Sequence, residues 1–310
     1  MTTQKPKKPE LLAPAGSFEA LKLALDCGAD AVYCGGMSFG LRYAAKNFSV
    51  AELKEAVEYS HDCGRRLYLT VNALMHESDL PSLRSYLEVV AGAGIDAFIA
   101  SDLGAARLAK EVAPEITLHV STQASVANSL SARSWYEMGA RRVIAARELS
   151  LRELTELKKN MPSDMQLEAF VHGAQCMAVS GRCIISNYLI DRDANKGRCA
   201  HSCRWTFQLV EEKRPDEYLP VIEEDGYTSI FSPQDLNMIE HLDELVAAGI
   251  DSFKIEGRTK GVNYIATVIS AYRAVLDGAC ASNYIEELRT QGFRPQGTGF
   301  YFGHPRQYYR

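Results

Sequence analysis

The chain predicts an α/β fold, a (β/α)8 TIM-like barrel with a long cysteine-containing insertion after its seventh strand. Three observations predict it. Short β-rich runs alternate with amphipathic helical stretches over most of the 310 residues, the pattern of repeated βα units and a parallel sheet. Gly28, Gly64, Gly94, Gly139 and Gly249 each close a helical stretch and open a strand, in "GADAVY", "GRRLYL", "GIDAFI", "GARRVI" and "GIDSFK". Glycine suits the left-handed position just past a helix end, so the repeated junction marks repeated units. Finally, the strands number eight, the count that closes such a barrel. The rival, a doubly wound dinucleotide-binding sheet, lacks its loop: "APAGS" after the first strand does not have the G-x-G-x-x-G spacing.

The strands are expected, in order, at "ELLAPA", "AVYCG", "LYLTVN", "AFIAS", "TLHVST", "RVIAA", "QLEAFVH" and "SFKIEG". Helical periods such as "SVAELKEAVEYSHDC", "LSLRELTELKKN" and "NMIEHLDELVAAG" lie between them. Residues 1–8 are expected to be a disordered tail, and residues 9–280 the barrel with its insertion at 174–236. Residues 281–310, aromatic and rich in Gly and Pro, are expected to open a further C-terminal domain. From His172 to a helix expected near Asn237, the seventh connection exceeds sixty residues, where barrel loops take a handful. It carries four of the eight cysteines and then an acidic stretch suited to a small hairpin. No run of about 18 apolar residues occurs, and "MTTQKPKKPE" lacks the apolar centre of a signal peptide. The expected address is the cytoplasm, with no membrane partner.

Period-two alternation assigns the faces of the strands. Leu167, Ala169 and Val171 should meet the helices, leaving Glu168, Phe170 and His172 toward the barrel axis. The same reading turns Tyr68, Thr70 and Asn72 inward, with His119, Ser121, Gln123, Lys254 and Glu256. Such an interior is more polar than the branched aliphatic layers usual in these barrels. Either its charges pair, as in a Lys254–Glu168 network, or the upper barrel holds a polar ligand. Asn72, Gln123, Lys254 and Arg258 are the candidate binding residues, placed to take a small, oxygen-rich, anionic carboxylate. Arg258, just past the last strand, can grip a carboxylate in a bidentate fork. Glu168, His172 and Glu256 are the candidates for handling protons.

A formal charge of −5 argues against a broadly basic nucleic-acid surface. The cysteine segment is nevertheless locally basic: five Arg and Lys against two Asp from Arg182 to Arg204. Its spacing, Cys176-x6-Cys183-x15-Cys199-x3-Cys203, contains no C-x2-C knuckle. Four thiolates can ligate an iron–sulfur cluster, a zinc ion or nothing; a cytosolic disulfide pair is the poorest reading. Cys27, Cys34, Cys63 and Cys280 sit in helical or strand patterns and are expected to be buried.

"EAFVHGAQCMAVSGRCIIS", residues 168–186, resembles the signature of peptidase family U32, with Glu168, Phe170, Gly173, Cys176, Gly181, Cys183 and Ser186 at the matching places. "GRCAHSCRW" resembles the second cysteine pair of that family, and "LHVSTQ", "SPQDL" and "FKIEGR" follow in family order. The similarity runs from about residue 9 to 303. It implies an RNA-modifying enzyme more than a protease: a [4Fe–4S] cluster on Cys176, Cys183, Cys199 and Cys203, and oxygen-independent hydroxylation. Within the family the chain is most similar to the proteins that lead to 5-hydroxyuridine at the tRNA wobble position, which implies tRNA as partner and prephenate as co-substrate. Related members act on ribosomal RNA. A peptidase is the alternative, yet no H-E-x-x-H motif is present, and "AVSGRC" is not a nucleophile elbow of the G-x-S-x-G type. A Cys176–His172 pair would leave the other three clustered thiols without a role. A nonenzymatic module binding RNA or a protein partner is the third reading.

Overall fold

The computed structural model describes residues 8–41, 46–175, 234–292 and 295–303, with residues 186, 190, 192 and 198–200 and the backbone of four short strands between 209 and 229. The expected tail at residues 1–8 lies outside the described residues except for Lys8. Seven strands come first: β1 Glu10–Pro14, β2 Ala31–Gly35, β3 Arg66–Val71, β4 Ala97–Ala100, β5 Thr117–Val120, β6 Ala140–Ile144 and β7 Gln166–Ala174. Helices α1 Phe18–Asp26, α2 Val50–Asp62, α3 Leu80–Ala91, α4 Leu103–Val112, α5 Ser129–Glu137 and α6 Leu151–Asn160 separate them. After the insertion strands β8 Leu209–Glu211, β9 Arg214–Leu219, β10 Ile222–Glu224 and β11 Tyr227–Ser229 come β12 Asp235–Asn237 and α7 Leu242–Ala247. The chain then runs through β13 Ser252–Ile255, α8 Val262–Leu276, α9 Ile285–Thr290 and β14 Gln296–Gly297.

Strands β1 to β7 pair in sequence order, all parallel, and β13 pairs with both β7 and β1. That double pairing closes an eight-stranded parallel barrel, as the sequence predicts. The five junction glycines all have positive φ, from 67° at Gly64 to 98° at Gly28, which side chains tolerate poorly. Ser49 and Ser150 each form a full capping box with the glutamate three residues on, which fixes where α2 and α6 begin. These helices turn a largely apolar stripe onto the barrel wall: Leu53, Ala56 and Val57 from α2, Leu83, Leu87 and Val90 from α3, Val268, Ile269 and Tyr272 from α8. Among the described residues no helix is long and apolar enough to cross a membrane.

The helix expected near Asn237 is displaced. Residues Asp235–Asn237 instead form a strand, antiparallel to the end of β7, with Asp235 opposite Ala174 and Asn237 opposite His172. Backbone pairing to an exposed strand end outcompetes helix initiation there. The acidic stretch expected as one hairpin forms two antiparallel pairs, β8–β9 and β10–β11. Residues 296–297 pair with β12, and Leu288 and Tyr301 are buried against the barrel. Cys34 is buried as expected, whereas Cys63 and Cys280 are exposed: both cap helical turns, Cys63 ending α2 and Cys280 preceding a 3-10 turn, so neither belongs to a packed face.

Candidate active site at the barrel mouth

The lower barrel is filled by an ionic ladder. The Arg142 guanidinium donates to Glu10 Oε1 at 2.5 Å and Glu168 Oε2 at 2.9 Å, and Lys254 Nζ donates to Glu168 Oε1 at 3.0 Å. Arg66 and the Tyr68 hydroxyl both donate to Glu10. Burial works against the charge of Glu10, yet Arg142 and Arg66 hold its carboxyl below the usual range. Burial lowers Lys254, and Glu168 opposes that effect. The paired-charge reading of the interior is therefore realised at this height.

Above the ladder, at the carboxyl ends of the strands, lies a narrow cavity of about 40 Å³ open to solvent. Its wall includes Asn72, Gln123, Lys254, Glu256 and Arg258, with Arg147 and Phe170. Loops at this end build active sites in barrels of this kind. Each binding candidate is held by a nearby element. Asn72 accepts from the Leu41 N–H at 3.3 Å and donates to Ser121 Oγ at 3.4 Å. The Gln123 backbone N–H donates to the same Ser121 oxygen at 3.3 Å. Arg258, 5% exposed, donates to Thr70 Oγ1 at 3.1 Å and Asn47 Oδ1 at 2.6 Å. A Cβ on Gly35 would stand 2.0 Å from its Nη2, so the bare backbone of β2 makes room for this guanidinium. Lys254 lies beneath the cavity, its ammonium 4.1 Å from the Tyr33 ring centre.

The three proton-handling candidates separate. Glu256 is half-buried and lines the cavity. Glu168 is fully buried below it, with one oxygen on Arg142 and the other on Lys254, where it orients Lys254. His172 does not face the axis, contrary to expectation. The register of β7 against β13 shifts by one residue between the Lys254–Phe170 and Ile255–His172 pairs. Such a bulge reverses the alternation, so His172 sits beside outward-facing Ile255. Its Nδ1 lies 3.2 Å from the Tyr272 hydroxyl of α8, behind the barrel wall. Burial holds this imidazole down at about 3, so it is neutral near neutral pH.

Cys176, Cys183 and Cys203 lie outside the described residues; Cys199 is half-buried. Among the described residues no group of His, Cys, Asp and Glu forms a metal site. What the structure does fix is the root of the cysteine segment, because Ala174 and Asp235 face each other across β7 and β12. Both ends of that segment therefore leave from the rim of the mouth, and its donor set, four thiols, suits an iron–sulfur centre.

Two residues escaped the sequence reading. Arg142 follows from the alternation Ala140, Arg142, Ile144 once the strand is started two residues earlier than "RVIAA". Arg147 stands three residues past β6, the same offset that Arg258 has from β13, so the rule that singled out Arg258 applies to it equally.

Comparison with known proteins gives the chain its relatives. The model of peptidase family U32 matches residues 16–310. The tRNA hydroxylation protein P1 of Bacillus subtilis is 41% identical over 307 residues, covering 96% of this chain and 72% of that protein. An uncharacterized protease of Methanocaldococcus jannaschii is 42% identical over 303 residues, covering 94% and 73% respectively. A solved U32 peptidase structure superposes with a TM-score of 0.53 at 15% identity, over 82% of this chain and 95% of that one, and shares the barrel fold. With its family signature, its barrel and relatives above 40% identity, the chain belongs to peptidase family U32.

Proposed function

We propose that this protein is an iron–sulfur enzyme that hydroxylates the wobble uridine of tRNA to 5-hydroxyuridine without molecular oxygen, with prephenate as co-substrate. The observation that carries this reading is the mouth itself: a cation-lined polar cavity whose rim is also the root of the four-cysteine segment. The name of the Bacillus subtilis relative supports it. Cys176, Cys183, Cys199 and Cys203 would hold the cluster, which supplies one-electron chemistry when bound.

The chain's own residues account for binding and orientation. Arg258, fixed by Thr70 and Asn47, presents a rigid fork to a carboxylate. Asn72, Ser121 and Gln123 line the opposite wall and supply hydrogen bonds to ligand oxygens. Glu256, the one carboxylate among the described residues of the cavity wall, is the residue placed to handle a proton there. A base reaches such a cavity only when turned out of its stack, which the wobble position of a single-stranded loop allows.

The peptidase reading needs a thiol beside an imidazole. His172, its candidate imidazole, is turned onto Tyr272 behind the wall, and among the described residues the cavity wall contains no histidine. Anaerobic purification with assay of iron, sulfide and zinc, followed by mass spectrometry of tRNA nucleosides from a deletion strain carrying the wild type or each cysteine variant, tests the proposal. Roughly four irons and four sulfides per chain, with 5-hydroxyuridine lost in all four variants, is the expected result. A colourless zinc protein, or hydroxylated uridine that persists without the gene and without a paralogue, overturns it.

A further inference from the structure

The cations of the barrel interior and its lower end have acidic partners inside the protein. Lys254 is paired with Glu168, Arg142 with Glu10 and Glu168, Arg66 with Glu10, and Lys158 with Asp251. Arg147 differs. It is half-buried at the cavity wall, and no carboxylate lies within ion-pair distance of it among the described residues. Its guanidinium instead lies over the Phe170 ring, 4.3 Å from the ring centre. Arg147 and Phe170 together form part of the wall of the mouth and of an adjoining crevice beneath Tyr301. Phe170 is buried, and its backbone carbonyl accepts from the Tyr301 hydroxyl at 2.5 Å. The contact holds the guanidinium over a buried ring and commits none of its N–H groups to an ion pair among the described residues.

Charge points the same way. The cations of the cavity wall are Arg147, Lys254 and Arg258, while the acids at hand are Glu256 on the wall and Glu168 beneath Lys254. A guanidinium flattened on an aromatic ring keeps its in-plane N–H groups for a carboxylate.

We propose that Arg147 is the anion anchor of the mouth, taking a carboxylate of the small ligand in a bidentate fork while its face stays on Phe170. This rests on the reading of the mouth as a carboxylate site and adds a specificity-determining residue to it. With Arg258 held by Thr70 and Asn47 as a second guanidinium of the same wall, the ligand class is a compound with two separated anionic or strongly polar ends.

Titration calorimetry with prephenate, malonate and citrate, on the wild type and on Arg147→Gln and Arg147→Lys, decides it. Arg147→Gln should weaken binding of whichever carboxylate the wild type takes by about 30-fold, the loss of one charged bidentate contact. Arg147→Lys should recover only part, since it restores charge without the fork. Melting temperatures should stay near wild type in both variants, because no ion pair among the described residues is removed. Binding of malonate or citrate but not prephenate, lost in Arg147→Gln, would refute the prephenate assignment and uphold the anchor. Unchanged affinity in Arg147→Gln, or no carboxylate binding by the wild type, overturns the anchor. So does a defect confined to binding of an anticodon stem-loop RNA, which would make Arg147 a phosphate contact.

Discussion

His172 shows how one side chain can be fully enclosed and still face away from the barrel axis. Its imidazole is packed between Tyr264 and Tyr272, with ring centres 5.9 Å and 5.4 Å away. Burial lowers its folded-state value to about 3 from the ordinary 6.5. Between those values the unfolded chain binds a proton that the folded one does not. The contribution is therefore complete above pH 6.5 and is lost as pH falls toward 3, by up to about 1.4 kcal/mol per pH unit. Denaturant unfolding from pH 7 to 4 should show His172→Gln with a shallower loss of stability on acidification than the wild type. An identical slope would mean that the ring is protonated in the fold.

At the level of single elements, the helix starts carry local stability that the barrel does not supply. In α6 the Ser150 hydroxyl accepts from the Glu153 N–H at 3.3 Å, while the Glu153 carboxylate accepts from the Ser150 N–H at 2.8 Å. The hydrogen bonds to Ser150 also hold the Glu153 carboxyl below its ordinary value. Ser150→Ala should cost about 1 kcal/mol, read from the shift in urea midpoint at constant slope. The same change at Ser85, whose hydroxyl donates weakly to Pro81 O at 3.4 Å within α3, should fall within about 0.5 kcal/mol of wild type. The end of β7 works differently. Gly173 adopts φ 103°, and a Cβ there would stand 2.5 Å from the Glu256 carbonyl oxygen. Only a glycine lets β7 pass so close to the segment that carries Glu256 and Arg258, just before the chain enters the cysteine segment.

Across the whole molecule, the ladder of Glu10, Arg142, Glu168 and Lys254 joins the bottom of the barrel to the floor of the mouth. Its members are almost completely buried, so each depends on the others for charge compensation. Removing one partner of a buried pair leaves the other uncompensated, at a cost of about 3–5 kcal/mol. Glu168→Ala should lose stability in that range, measured by chemical denaturation. Glu111→Ala, which breaks the exposed Arg84–Glu111 pair of 2.9 Å, should lose less than about 1 kcal/mol. Similar costs for the two variants would contradict the compensation argument.

The barrel and its eight strands were legible in the sequence because each βα unit carries its own signals, an apolar period and a glycine at the helix end, that need no distant partner. The inward faces of β3, β5 and β13 were legible for the same reason, since alternation is a local rule. So were Asn72, Gln123, Lys254, Glu256 and Arg258, which a strand-end position brings to one cavity. The tertiary structure alone decided where His172 points, because the bulge arises from the register between β7 and a strand some eighty residues later in the chain. It also decided that Asp235–Asn237 would be a strand, since its partner is the free end of β7. And it alone left Arg147, among the described residues, without an acidic partner on Phe170, because charge pairing inside a closed barrel depends on which side chains meet across the axis, and no local pattern of residues encodes that.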